Sequence, residues 1–109
     1  MLPGVNRVLL TAAVVELQPL RYTPAGVAAL ELLLEHESEV QEAGQARLAR
    51  FQAKAIALGD IAHLLADTPL GAQLKLEGFI AAARKGSSRL VLHIQKAERL
   101  FPGSGSAVV

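Results

Sequence analysis

Between Gly78 and Ala97 the chain carries Arg84, Lys85 and Arg89 and not one carboxylate. Three cations so close together make a positive lobe on a chain whose formal net charge is only +1. The chemistry such a lobe performs is holding phosphate. A second cationic group follows an acidic one. Glu31, Glu35, Glu37, Glu39 and Glu42 come with no Lys or Arg among them, and Arg47, Arg50 and Lys54 then come with no acid before Asp60. A fold that sets 47–54 beside 84–89 has one basic and one acidic region, although the same blocks also suit ordinary solvated faces.

Other chemistries lack their parts. His36, His63 and His93 show no ligand spacing such as i, i+4 on a helix, and there is no cysteine to complete a tetrahedral site. No phosphate-loop, nucleophile-elbow or zincin motif occurs. The glutamates fall on what reads as an exposed strand and loop, where solvation or a partner's basic patch suits them better than a desolvated acid and base. We therefore expect a binding protein rather than an enzyme, with no metal and no cofactor. The absence of cysteine fits a reducing compartment. Met1-Leu2-Pro3-Gly4 lacks the regions of a signal peptide, and no run reaches the roughly 18 apolar residues that span a bilayer. The expected location is the cytoplasm, away from membranes.

At 109 residues, 51% apolar and 19% charged, the chain is one globular domain over 1–101, followed by a loose Gly/Ser tail at 102–109. The elements that hold the cations can be read from alternation at period two. A first strand covers Asn6 to Leu17 and stops at Gln18-Pro19. Pro24-Ala25-Gly26 is a tight turn. A second strand, Val27 to Glu37, sets Leu30, Leu32, Leu34 and His36 on one face. Its Leu and Glu content leaves a helix over Ala28–Glu42 open on propensity alone. Polar Ser38 to Ala46 reads as a hairpin loop. In a third strand, Arg47 to Leu58, Phe51, Ala53, Ala55 and Ala57 face inward and Arg50, Gln52 and Lys54 outward. A short helix opens at Gly59-Asp60, with Asp60 as its N-cap and Ile61, Leu64 and Leu65 as its buried face, and stops by Asp67-Thr68-Pro69. Gln73 to Ile80 and Arg89 to Leu100 complete a β-hairpin with the cationic tip as its loop, and the last strand buries Leu90, Leu92 and Ile94. This order is mainly β: a five-stranded OB-fold Greek-key barrel with one short helix between strands 3 and 4. In that architecture strands two and three, with the loops joining one to two and four to five, form the binding face.

Proteins that hold single strands combine cationic grooves with aromatic platforms. Here the aromatic residues are only Tyr22, Phe51, Phe79 and Phe101. Alternation puts Phe51 in the core. Phe79 lies beside the basic tip and suits either base stacking or packing at a dimer interface. Tyr22 sits near a turn, where it either stacks or covers the barrel end. The Arg50 guanidinium offers a stacking plane of its own.

The phrases Asn6-Arg7-Val8-Leu9-Leu10-Thr11-Ala12, Pro19-Leu20-Arg21-Tyr22-Thr23-Pro24-Ala25-Gly26, Leu33-Leu34-Glu35-His36, Gln41-Glu42-Ala43-Gly44, Gly78-Phe79-Ile80 and Leu90-Val91-Leu92-His93 occur together and in this order. As a set, covering about Asn6 to Leu100, they resemble the PriB type of primosomal replication protein N, a family related to bacterial single-stranded DNA-binding protein. The resemblance implies a homodimer that binds single-stranded DNA and helps a PriA-type helicase and a DnaT-type loader restart stalled forks. Family DNA contacts, carried over by position, lie on the strand matching Arg47, Arg50 and Lys54 and on the loop matching Arg84, Lys85 and Arg89. Gln45 and Arg50 stand where family members can carry aromatic residues, and Glu37 where one can carry a cation. The expected site is thus Arg47, Arg50, Lys54, Arg84, Lys85 and Arg89 along the sugar-phosphate backbone, with Phe79 and Tyr22 as stacking candidates. Val8, Leu10 and Val91 are expected to line the dimer seam. The competing reading is a protein-interaction adaptor on the same fold with little DNA affinity of its own. An RNA-binding barrel is a third reading, which the phrases above do not favour.

Overall fold

The alternating segments form six strands and one helix, in a computed structural model that describes residues 2–100. They are β1 (Val8–Leu17), β2 (Arg21–Tyr22), β3 (Ala28–Glu42), β4 (Gln45–Leu58), α1 (Asp60–Leu65), β5 (Gln73–Ala82) and β6 (Leu90–Leu100). The expected tail at 102–109 and Phe101 lie outside the described residues. The sheet order is β1-β5-β6-β4-β3-β2, and a further β1–β3 pairing closes it. With the two-residue β2 set aside as an edge piece on β3, five strands make the expected OB-fold barrel, and its helix falls between the third and fourth of them. The β4–β6 contact, Ala55↔Leu92 to Ala57↔Ile94, is parallel; the other pairings are antiparallel. No helix among the described residues is long and apolar enough to cross a membrane.

One row from each strand fills the barrel. Val14, Leu30, Leu34, Leu74 and Leu76 are its largest fully buried side chains, and Ala12, Ala55, Ala57 and Ala62 let neighbouring elements approach. Val8 and Leu10 belong to this inward row, packing against the core, so they are not the outward seam residues expected from the sequence. Their phase with Ala12 and Val14 is the reason, since residues two apart share a face.

The expected loop at 38–46 shrinks to a two-residue turn. Ala43 and Gly44 both have positive φ, 53° and 79°, as a type I′ hairpin requires, and the β3–β4 ladder runs without a break from Ala29↔Leu58 to Glu42↔Gln45. Beyond the barrel rim this pair of strands is a free-standing ribbon with solvent on both faces, which is why its polar residues stay extended. The rim also explains Phe51 and Leu90. Phe51 continues the inward row of Ala53, Ala55 and Ala57 past the barrel and is 44% exposed instead of core, its ring 5.1 Å from that of His36. Leu90 continues the row of Leu92 and Ile94 and is 63% exposed.

Where β3 leaves β1, His36 secures the fork. Its Nδ1 bonds to the Thr11 carbonyl (2.6 Å), so Nδ1 carries the proton, and its Nε2 bonds to Ser38 Oγ (2.8 Å). At the other end of β1, Asn6 donates from Nδ2 to the Ile80 carbonyl (2.6 Å), and its Oδ1 accepts from the Ile80 amide (3.0 Å), extending the β1–β5 ladder with a side chain.

The helix differs by one residue from the expectation. Gly59 at φ 84°, ψ −143° is the N-cap, no side chain caps it, and Asp60 is already helical. At about 100° per residue Ile61, Ala62 and Leu65 fall on one side, and Leu64 lies a full step beyond Leu65. Leu65 is buried and Ile61 packs against the core, as expected, with Ala62 buried beside them, while Leu64 is 63% exposed. Buried Thr68 terminates this segment by donating from Oγ1 to the Leu65 carbonyl (2.8 Å).

Candidate nucleic-acid interface

The β5–β6 loop is short and internally bonded. The Ala83 amide donates to the Arg89 carbonyl (2.8 Å), and the Ser87 amide to that of Arg84 (2.9 Å). The second bond closes a turn over Arg84-Lys85-Gly86-Ser87. Gly86 at φ 78° occupies the third position, where a type II turn needs positive φ. Ser87 Oγ accepts from the Arg89 amide (3.0 Å). Three exposed cations are thus held on a braced corner.

That corner forms one wall of an open groove of about 1520 Å³. Arg84, Ser87, Arg89 and Leu90 line the loop wall, and Gln18, Pro19, Leu20 and Arg21 of the β1–β2 connection line the opposite one. Glu31, Leu33, Lys54, Ile56, Val91 and His93 lie on the floor. The floor follows from register: Glu31↔Ile56 and Leu33↔Lys54 share the outward face of the β3–β4 ladder, and Ile56↔His93 continues it onto β6. Two walls carrying guanidinium groups over a partly apolar floor suit a chain of phosphates with flat apolar faces. Val91, expected at a dimer seam, is half-buried on this floor.

The expected site residues separate into three groups. Lys54, Arg84 and Arg89 line the groove, Lys85 is their exposed neighbour in the loop turn, and among the described residues the four form no ion pair. Arg47 and Arg50 lie out on the ribbon, each tied to a glutamate: Arg47 Nη1 to Glu42 Oε1 at 2.6 Å, and Arg50 Nε to Glu37 Oε2 at 3.8 Å. Of the stacking candidates, Phe79 is half-buried on the outer face of β5, parallel to the His93 ring at 4.8 Å and 11°. Phe79 and His93 therefore form one continuous ring surface that begins in the groove. Tyr22 points away from Arg21 along β2, toward α1, with its ring 6.0 Å from that of His63. It is not among the groove-lining residues.

Arg21 and His93 are groove residues missing from the expected site. Arg21 Nη2 bonds to Glu31 Oε2 at 2.8 Å on the groove wall. Its signal was available in the sequence: it lies between Pro19 and Pro24 in the connection that an OB-fold uses for binding. His93 reads as a strand-surface residue until the β4–β6 pairing brings it against Ile56. Among the described residues there is no cluster of His, Cys, Asp and Glu able to hold a metal ion.

Comparison with known proteins follows this geometry. Residues 6–96 match a family model described as another single-strand binding protein family. The replication restart protein PriB of Bordetella pertussis is 52% identical over 100 residues, spanning 92% of this chain and 94% of that protein. The three-dimensional structure of PriB from Ralstonia solanacearum superposes with a TM-score of 0.80 at 38% identity, covering 88% of this chain and 98% of that one. The single-stranded DNA binding protein of Thermus aquaticus gives a TM-score of 0.72 at 26% identity, over 94% of this chain and 52% of that one.

Proposed function

The chain belongs to this single-strand binding protein family, in its PriB replication restart branch, and from that membership we propose that it binds single-stranded DNA in the groove between the β1–β2 connection and the β5–β6 loop. The observation that carries the reading is the coincidence of that groove with Arg84, Arg89 and Lys54, cations that form no ion pair among the described residues. Phosphates lie along the loop cations, and bases lie over Leu33, Ile56 and the His93–Phe79 ring surface. This is a binding role and not a catalytic one.

The protein acts as a homodimer. The β3-side edge of β1 is taken by His36 at the Thr11 carbonyl and by the β3 ladder from Ala13 onward, so residues 8–10, which pair with β5 alone, leave an edge for a second copy. Two grooves in one particle raise affinity through effective concentration. The dimer links DNA to a PriA-type helicase and a DnaT-type loader, and the acidic ribbon face bearing Glu35 and Glu39 is the surface left for a basic protein partner. The ion-paired state of Arg47 and Arg50 favours the adaptor as the second reading.

The test is fluorescence anisotropy of a labelled oligo-dT at two salt concentrations, comparing wild type with Arg84→Glu/Lys85→Glu. Each phosphate contact contributes about 0.7 to the slope of log K against log salt for a single strand, so losing two flattens it by about 1.4. Affinity falls on the order of tenfold or more. A folded wild type with no binding at low salt sinks the DNA reading and leaves the adaptor.

A further inference from the structure

The outward face of the β3–β4 ladder carries opposite charges in adjacent rows. On it Glu37 stands directly across from Arg50 in register, whereas Glu42 and Arg47 meet on the opposite face of the ribbon, beside the Ala43-Gly44 turn. In the groove the same arrangement recurs across β2 and β3, where Arg21 bonds Glu31. All six side chains are more than half exposed. A phosphate can therefore reach each arginine, but only by displacing a carboxylate.

This has a consequence for counterions. When a free lysine or arginine neutralises a phosphate, the cation condensed on the DNA is released to solution. When an arginine leaves a glutamate for a phosphate, the freed carboxylate draws mobile cations toward it and the broken ion pair was itself weakened by salt, so the net salt dependence is smaller than for a free cation. Resting on the DNA-binding reading above, we propose that Glu31, Glu37 and Glu42 are built-in competitors of phosphate, which make Arg21, Arg50 and Arg47 exchange contacts. They give the interface position and register without steep salt dependence. Lys54, Arg84, Lys85 and Arg89 are the contacts that release counterions. The glutamates thereby keep affinity low and make the protein easy to displace from DNA.

Glu39 supplies the internal control. It shares the outward row with Glu37 but faces Leu48, and among the described residues it pairs with no cation. A general repulsion between DNA and the acidic strand would make Glu39 as important as the paired glutamates. Exchange makes it nearly silent.

The experiment measures the salt slope of oligo-dT binding for Glu31→Gln/Glu37→Gln/Glu42→Gln, for Glu39→Gln, and for Arg50→Ala beside Lys54→Ala, each checked for an unchanged melting curve. The triple variant is expected to bind several-fold tighter at low salt and to steepen the slope, by up to about 2 at about 0.7 per contact. Glu39→Gln leaves the slope unchanged, and Arg50→Ala flattens it far less than Lys54→Ala does. A triple variant with the wild-type slope overturns the inference, as does an Arg50→Ala as flattening as Lys54→Ala. Both results leave DNA binding intact so long as Arg84→Glu/Lys85→Glu still weakens it. If wild type itself fails to bind, the underlying reading fails, and the exchange scheme with it.

Discussion

Replacing Gly78 with alanine tests how the barrel holds the binding loop. Gly78 is buried in β5 at a register shift: Glu77 pairs with Lys96, but Gly78 pairs with Ile94, so β6 bulges by one residue opposite it. A Cβ at this position would lie 1.8 Å from the His93 carbonyl oxygen, 2.9 Å from its carbon and 3.2 Å from Ile94 Cα, where ordinary contact starts at 3.4 Å. All three atoms are backbone, so no rotamer change relieves the clash. The strand must move, and in moving it separates the ladder next to the Phe79–His93 stack. We expect a loss of about 3 kcal/mol, the upper part of the overpacking range. At roughly 4–8 °C per kcal/mol for a domain of this size, the melting temperature falls by about 12–24 °C. Circular dichroism melts of Gly78→Ala and of Gly86→Ala make the comparison. Gly86 has φ 78° with nothing within 4 Å of its added Cβ, so its substitution loses only the backbone term, about 1–2 kcal/mol. A Gly78→Ala protein that melts within about 4 °C of wild type would refute the close-approach argument.

Two further substitutions probe the turns. Ala43→Asn puts a residue tolerant of positive φ at the first position of the ribbon turn, where Ala43 has φ 53°, and should raise stability by about 0.5–1 kcal/mol in a chemical denaturation curve; a lower midpoint contradicts the turn assignment. Gly59→Ala has open space around its Cβ, yet φ 84° with ψ −143° is a region nearly reserved for glycine, so a loss of about 1–3 kcal/mol is expected, and an unchanged melt argues against the helix start described here.

Much of the barrel was legible because alternation reports burial. The rows of Leu30, Leu32 and Leu34 and of Leu74 and Leu76 are inward, as their period implies. The errors at the rim share one cause: alternation says which residues share a face, not where the barrel ends. Phe51 and Leu90 keep the phase of a core row but lie past the rim, and the polar stretch from Ser38 to Glu42 continues the ladder with nothing left to bury. On the helix Ile61 and Leu65 pack as their spacing implies, and Leu64 does not, because it lies about 100° from Leu65 on the far side of that face. At the candidate site the loop cations could be read directly, as they crowd one segment without acids. Their acidic counterparts could not be paired, because that needs register. Only the ladder reveals that Glu37 faces Arg50 while Glu39 faces Leu48.

The closure of the barrel by β1 also bears on how the chain is made. Asn6 and Ile80, which clamp the end of the β1–β5 ladder, are 74 residues apart. At about 5–20 residues per second of synthesis, β1 waits roughly 4–15 s for that partner. The β3–β4 hairpin, joined by two residues, can form within about 1–10 μs of its second strand emerging. The nascent chain therefore spends seconds with a finished hairpin and an unclosed first strand whose Val8, Leu10, Ala12 and Val14 row has nothing complete to pack on. Because its contacts are the most non-local, barrel closure is expected to be the late and slow step of folding. Until it occurs, β1 is the segment of the newborn protein most exposed to pairing with the wrong strand.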